Sequence, residues 1–437
     1  MMKRNLAILL AAVLLVAPML FGCTQQETVS PEGGGGEAEQ ITITFPHWYW
    51  SHGGSFDQWI EGAVKDFTEE HPNVKVEPVT IAYEEYWNRL DIAIAAGTPY
   101  DIMAFSDNVG NYIENGHLLA LDDYIDMDEL KKNFNDIQNV YIPELAPDGK
   151  TYMIANVNAF YMPIYRPSVL KKAGWESFPQ TFDEFKQMCG DLQAVGVMPY
   201  GMMTNPGNFT EQWIDLSVWV IAQGGSWMKN GAPNFTSAEV KNAYSCIKEL
   251  YDAGYIVKDT DKGTYRQMFG TGEVGVLIDG SWVYSTAVLA DPSVEGDFAV
   301  ADTSLFPANK FATAWEGFAA SADTKYPEEC GALLMALTSA PQMRNFLDTA
   351  SILAPRTDIF DDAEYKKQTF ETFPWLETFV ENADNVQGTY PTGVPAAKYT
   401  EFTKIAGTAL ESVLYDNVPV DAAMQTAQES AEALLRS

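Results

Sequence analysis

The chain has 437 residues, 46% of them apolar, the share of an ordinary globular protein. Its 60 acidic residues against 27 basic ones give a net charge of −33, so nucleic acid and anionic lipid surfaces are repelled and drop out as partners. Four Cys without a C-x-x-C spacing, and four His with no carboxylate or Cys at a matching distance, exclude a zinc site and leave no metal and no cofactor to expect.

Met1-Met2-Lys3-Arg4-Asn5 is a short basic start, residues 6–19 form an unbroken apolar run, and Leu20-Phe21-Gly22-Cys23 closes it. That is the pattern of a secretory signal over residues 1–22, too short for a spanning helix, and no later stretch is long enough to cross a bilayer. The closing Gly-Cys resembles the lipobox of bacterial lipoproteins, which implies lipidation at Cys23; an ordinary secretory signal with a coincidental Cys is the competing reading. Residues 23–40 are polar and carry Pro31 and Gly33-Gly34-Gly35-Gly36, so they cannot bury enough surface to fold and act as a tether. The remaining body of about 400 residues exceeds what one hydrophobic core organises, and two lobes are expected.

Along that body, Ile41-Thr42-Ile43-Thr44-Phe45 alternates as a strand and runs into the aromatic loop Pro46-His47-Trp48-Tyr49-Trp50. Residues 56–70 carry Trp59, Ile60, Ala63, Val64 and Phe67 on one helical face, and His71-Pro72 stops them. A second alternating strand follows at 74–79, a helix at about 83–96, and a short buried strand at 101–105. Strand and helix in regular alternation predict a mostly parallel sheet covered by helices, an α/β fold. The pattern recurs: a strand-like stretch to Tyr165, a helix opened by Thr181 with Glu184 at the capping-box position, helices near 211–223 and 237–251, a buried strand at 275–279, and a terminal helix at 421–435. Cys189, Cys246 and Cys330 read as small buried residues on helices.

Five segments carry a resemblance. Asp66-Phe67-Thr68-Glu69-Glu70-His71-Pro72-Asn73-Val74-Lys75-Val76 joins a helix to a strand, and Ala95-Ala96-Gly97-Thr98-Pro99-Tyr100-Asp101-Ile102 follows. Then come Leu118-Leu119-Ala120-Leu121-Asp122-Asp123-Tyr124-Ile125, Pro179-Gln180-Thr181-Phe182-Asp183-Glu184-Phe185 and Gly272-Glu273-Val274-Gly275-Val276-Leu277-Ile278-Asp279-Gly280-Ser281-Trp282. In this order, behind a lipobox and tether, the chain resembles the extracytoplasmic solute-binding lipoproteins of carbohydrate ABC importers, the maltose-binding-protein-like family. One departure is Ile164-Tyr165-Arg166-Pro167-Ser168-Val169-Leu170, where the family has "Y-Y-N-K-D-L-F". The resemblance implies the two-lobe periplasmic-binding-protein (type II, Venus-flytrap) fold, with hinge strands and an interlobe cleft. Lobe 1 is expected to take residues 41–157 and 304–355, and lobe 2 residues 158–303 and 356–437.

A sugar ring offers a C–H face to aromatics and an equator of hydroxyls to carboxylates and amides. Such groups belong in loops at the carboxyl ends of strands, where open α/β sheets bind ligands. Trp48, Tyr49 and Trp50 sit in such a loop, and at least one is expected to line the cleft, with plugging the core as the competing role of one or two of them. Asp107 and Asn108 follow the 101–105 strand, where the family places a hydroxyl-binding acid; capping the next helix is the alternative. Trp282, after a buried strand, is the leading candidate for a stacking ring. Trp315 and Glu316 stand where the family crosses back into the first lobe, and Glu316 there accepts sugar hydroxyls. Trp213, with Glu211 beside it, completes the expected set; for it, as for Asn158, Tyr390 and Tyr399, packing is the competing role. No Lys/Arg cluster beyond pairs such as Lys131-Lys132 stands out for an anionic ligand.

Two decoys fall away. Gly270-Thr271-Gly272-Glu273-Val274-Gly275 spells G-x-G-x-x-G, but a helix precedes it and a strand follows, the reverse of a dinucleotide site. The acids Asp122, Asp123, Asp126, Asp128 and Glu129 lack the Gly and spacing of a calcium loop. The expected function is a lipid-anchored receptor, monomeric and without catalysis, on the extracytoplasmic face of a bacterial cell membrane. It binds a sugar, an oligosaccharide by expectation, and delivers it to an ABC permease. The rivals are the same fold binding a polyamine or other non-sugar solute, and a secreted glycoside hydrolase.

Overall fold

Four long segments buried almost throughout, 102–105, 154–165, 274–279 and 311–320, form the middle of the protein. The structure is a computed structural model and describes residues 40–51, 55–106, 108–258 and 260–437. The signal, Cys23, the tether up to residue 39 and Asp107 lie outside the described residues. The principal strands are β1 (Ile41–His47), β2 (Val74–Thr80), β3 (Ile102–Phe105), β4 (Ile154–Tyr165), β5 (Met198–Gly201), β6 (Val274–Asp279), β7 (Phe311–Ala320) and β8 (Val386–Gly388). The helices used below are α1 (Ser55–Glu70), α2 (Tyr83–Ala95), α3 (Val109–Glu114), α4 (Phe182–Ala194), α5 (Phe209–Ala222), α6 (Ala238–Asp252), α7 (Lys262–Gly270), α8 (Val283–Ala290), α9 (Pro327–Leu337), α10 (Ala340–Ala350) and α11 (Tyr399–Leu414).

β1 and β2 pair in parallel from Ile41↔Val74 to His47↔Thr80. The larger sheet runs β8-β7-β4-β6-β5, with β3 also on β7. It is mixed, which corrects the expectation of a mostly parallel sheet. β4 pairs antiparallel with both β7 and β6, and β3 antiparallel with β7, while β5–β6 and β7–β8 are parallel. The cause is topological: β4 leaves the first half of the body and β7 returns to it, so the two crossing strands run in opposite senses. Local strand–helix alternation carries no information about that return.

Two apolar clusters flank these strands. In the first, Trp59 of α1 stacks on Phe346 of α10 at 4.0 Å, with Phe45, Tyr86 and Phe318 around them. In the second, Trp213 of α5 stacks on Trp227 at 4.7 Å, with Phe185, Tyr244 and Phe402. Trp219 donates its indole N–H to Tyr200 at 3.1 Å, so the ring is buried with its polar atom satisfied. Gln40–Ser437 forms one compact unit.

Caps set the helix starts. Thr181 accepts from the Glu184 amide at 3.3 Å while Glu184 accepts from the Gln180 amide at 3.0 Å, close to the capping box read from the sequence. Asp126, in the acidic run, accepts from the amides of Asp128 and Glu129 at 3.0 and 2.9 Å, and Glu129 pairs with Arg356 at 2.8 Å. Cys189, Cys246 and Cys330 are free and buried in α4, α6 and α9. Burial pushes the Cys246 and Cys330 thiols up to about 12, so they stay protonated and inert.

The β4–β7 ladder has one irregularity. Its register steps between Glu316 and Gly317, from Val157↔Glu316 to Ala155↔Gly317. A bulge of this kind bends the strand and re-aims a side chain. Gly317 permits it, because a Cβ there would lie 2.6 Å from the Ile154 carbonyl oxygen and 3.0 Å from the Ala155 Cα, both backbone atoms that cannot swing away. Gly317→Ala is therefore expected to cost about 1–3 kcal/mol, measured by urea unfolding; an unchanged midpoint would show that the ladder tolerates separation at this point.

Candidate functional site

At the carboxyl end of β1 the chain turns through a single helical turn, Tyr49–Ser51, with the Tyr49 amide donating to His47 Nδ1 at 2.9 Å. The turn swings the Tyr49 ring toward β7, where its hydroxyl donates to Glu316 Oε2 at 3.0 Å. Tyr83, the first residue of α2, and Tyr161 of β4 complete this side.

The facing side comes from three elements of the second half. Asp261 caps α7 by accepting from the Thr264 amide at 2.7 Å, which fixes a helix with Lys262 and Arg266 four apart and so on one face. Glu211 and Asp215 have the same spacing on α5; Lys262 Nζ lies 2.9 Å from Glu211 and 3.0 Å from Asp215. Arg266 grips Asp279, the last residue of β6, through two parallel bonds of 2.8 and 2.9 Å. Trp282 stands three residues on, edge-to-face with Tyr161 at 5.6 Å and with the Arg266 guanidinium 5.9 Å from its ring. Its indole folds back over Gly280, where any Cβ would occupy ring space.

The two sides meet where Trp282 touches Tyr161, and their charges act on one another. Burial pushes the Glu316 carboxyl up to about 7, while the Tyr49 hydroxyl and Arg266 pull it down and Glu211 pushes it up. Tyr83 is raised by burial and then by Glu211 and Glu316, with Lys262 opposing. Asp215 is raised by burial, against Lys262 and the Met203 amide. Lys262 would be lowered by burial, but Asp215 and Glu211 hold it well above its ordinary value. Glu316, Trp282, Tyr83 and Glu211 are half-buried. Aromatic faces, acceptors and tyrosine hydroxyls thus stand near one another, the kinds of group that hold a polyhydroxylated solute.

The expected residues divide. Glu316 stands on the first of these two sides, bonded to Tyr49, and Trp282 on the facing one, against Tyr161. Trp48 is 3% exposed and packs edge-on against Tyr83 and Tyr86 at 5.1 and 4.9 Å, so it backs the site. Trp50 is half-buried and donates its indole N–H to the Phe45 carbonyl at 2.9 Å, which turns the ring into the first half's packing. Asn108 holds the N-cap position of α3 with no side-chain cap; its Oδ1 accepts from the Ser106 amide at 3.4 Å. Trp213, 1% exposed against Trp227, is a core residue of the second cluster. Asn158 accepts from the Thr313 hydroxyl at 3.2 Å, and Tyr390 stacks on Tyr399 at 5.2 Å.

Trp315 faces the other way, because side chains alternate along a strand. It is 2% exposed, lies parallel to Tyr141 at 6.1 Å, and lines a groove of about 570 Å³ with Lys310, Trp227 and Tyr390 on the far side of β7 from Glu316. Two adjacent residues expected at one site therefore stand at two. The sequence reading named Tyr49 with its loop neighbours but missed Tyr83, Tyr161, Lys262, Arg266 and Asp279. Lys262 and Arg266 are not adjacent in sequence and form no basic pair, although their four-residue spacing after the cap Asp261 is a readable signal.

Residues 62–372 match the family of bacterial extracellular solute-binding proteins. The polygalacturonan/rhamnogalacturonan-binding protein YtcQ of Bacillus subtilis is 22% identical over 302 residues, 62% of this chain and 56% of that protein. The uncharacterized ABC transporter extracellular-binding protein PH1039 of Pyrococcus horikoshii is 22% identical over 317 residues, 67% of this chain and 69% of that one. The match thus spans little more than half the length of the Bacillus relative. Among solved structures, the GacH receptor of Streptomyces glaucescens, determined unliganded and with acarbose, superposes with a TM-score of 0.79 at 18% identity, covering 92% of this chain and 100% of that one. The cyclic α-maltosyl-1,6-maltose binding protein of Arthrobacter globiformis gives 0.73 at 19% identity, covering 91% and 99%. These likenesses establish the two-lobe α/β fold with a cleft, and by the family match the chain belongs to the bacterial extracellular solute-binding proteins.

Proposed function

We propose that this chain is a lipid-anchored extracytoplasmic receptor that captures a sugar, specifically an oligosaccharide, between its lobes and passes it to an ABC permease. Lobe 1 takes residues 41–157 and 304–355, lobe 2 residues 158–303 and 356–437, and Cys23 carries the lipid. The observation that carries the reading is the half-buried Trp282 ring facing the same enclosed space as Glu316, Glu211 and three tyrosines. A stacking face beside fixed acceptors and hydroxyl donors is what a sugar ring requires. Sugar-binding relatives of the same fold support it. Contacts made to both lobes at once favour the closed form, so binding shifts the population toward closure. Bound glycan is released intact, since capture and not turnover is the task.

A thermal-shift screen of a protein starting at Glu39, against mono- and oligosaccharides with polyamines and short peptides as controls, tests this directly. A ligand at a thousand times its dissociation constant adds about 4 kcal/mol to stability. A rise confined to one glycan family supports the receptor; silence from every glycan sinks the sugar reading, and recovery of a cleaved glycan moves the protein to the hydrolases. Trp282→Ala should weaken the responding glycan by about 2 kcal/mol, roughly thirtyfold, in titration calorimetry. Gly280→Ala should produce a comparable loss with the fold retained, because the indole must leave its seat. Undiminished affinity in either variant would remove Trp282 from the site.

The buried acid gives a pH signature. Unfolded, Glu316 releases its proton near 4.3; folded and unliganded, it holds it to about 7. The folded state therefore binds more protons between those values, and this group's contribution is fully present below the lower pH and lost as pH rises through the upper. Glu316→Gln should flatten the decline of Tm between roughly pH 5 and 8. A decline as steep as in the unaltered protein would mean that the carboxyl is not buried.

A further inference from the structure

The cleft contains more acid than base. Glu211, Asp215, Asp279 and Glu316 stand with Lys262 and Arg266, four acids to two bases. Both cations are matched within the protein. Lys262 is shared between Glu211 and Asp215 at 2.9 and 3.0 Å, and Arg266 is spent on Asp279 in a two-bond grip. Among the described residues Glu316 accepts only the Tyr49 hydroxyl, and no ion pair reaches it.

A carboxylate enclosed without a cation is costly, and the cost is relieved when a ligand brings the missing charge. The surroundings suit such a ligand, since Trp282, Tyr83 and Tyr161 present rings to the same space, and aromatic faces attract ammonium groups. An acidic glycan meets the opposite situation, because every cation in the cleft is already neutralised and spare carboxylates would face its own.

We infer that the floor of the cleft, at Glu316, receives a protonated amine of the cargo, so that this receptor takes a cationic solute and rejects uronic-acid glycans. The inference rests on the cleft being the ligand site. The ammonium has two natural sources, an amino sugar within an oligosaccharide or a polyamine, and the test separates them.

Titration calorimetry on the same protein uses four probes: a glucosamine trisaccharide, its fully N-acetylated counterpart, spermidine and trigalacturonate. Acetylation removes the charge and leaves the sugar skeleton, so that pair isolates the amine. The glucosamine trisaccharide should bind at least about tenfold tighter than the acetylated one, and Glu316→Gln should abolish the difference. Retention of the Tyr49 contact by the glutamine keeps that variant folded, which its Tm checks. Binding of spermidine with silence from both glucosamine sugars upholds the amine site and overturns the sugar reading. Equal or tighter binding of the acetylated sugar or trigalacturonate overturns the amine site while the sugar reading stands. Failure of both amines to bind, or a preference that survives Glu316→Gln, likewise overturns it.

Discussion

The antiparallel pairing of β4 with β7 is the constraint on which the rest of the protein depends. These strands are the longest among the described residues, 12 and 10 residues, and are buried along almost their whole length. Each joins one half of the body to the other, so whatever sits on their surface is placed relative to both. The bulge in β4, which leaves Asn156 unpaired opposite Glu316 and Gly317, breaks an otherwise continuous ladder beside the Glu316 carboxyl. That placement costs stability, and the raised carboxyl records the cost. Local disagreement between what packs well and what is present is the mark of a binding site.

The remaining charges solve a related problem. Six ionisable side chains stand in the cleft, and a half-satisfied polar network is worse than an apolar core. The protein meets this by drawing its cations from one helix, α7, and its acids from α5, the end of β6 and β7 at the register step. Asp261, an exposed cap, indirectly fixes the position of both cations. Because the pairs are formed before any solute arrives, little reordering is needed on binding, and affinity is not lost to it. The same preorganisation leaves Glu316 as the acid without an ion pair, so charge selectivity follows from the pairing pattern.

The helix and strand order was legible because it rests on local periodicity: residues 41–45, 56–70 and 74–79 lie within β1, α1 and β2 as observed. The Gly-Ser-Trp turn was legible because a Trp after a buried strand is conspicuous, and Trp282 stands against Tyr161 and beside Arg266. Other tryptophans show the limit of that reasoning. Trp213 and Trp282 look alike in sequence, yet the partners that bury Trp213, Trp227 and Phe402, come from distant segments. Trp315 and Glu316 are neighbours, and only knowledge of a strand through them reveals that they face opposite ways. The sheet's mixed direction was hidden for the same reason, since the return crossing is a property of topology. Lys262 and Arg266 stayed hidden because an acid-rich composition drew attention away from isolated bases, and their four-residue spacing matters only once α7 is known to face the cleft.

The measurement that bears most directly on this account is a crystal structure of the protein with its tightest-binding solute. The account predicts the solute enclosed between the lobes, with a ring or chain against Trp282 and a hydrogen-bonding group at Glu316, and the groove beside Trp315 and Tyr141 free of it. Solute seated in that groove, with Glu316 still bonded only to Tyr49, would contradict the account and place the binding site on the other face of β7.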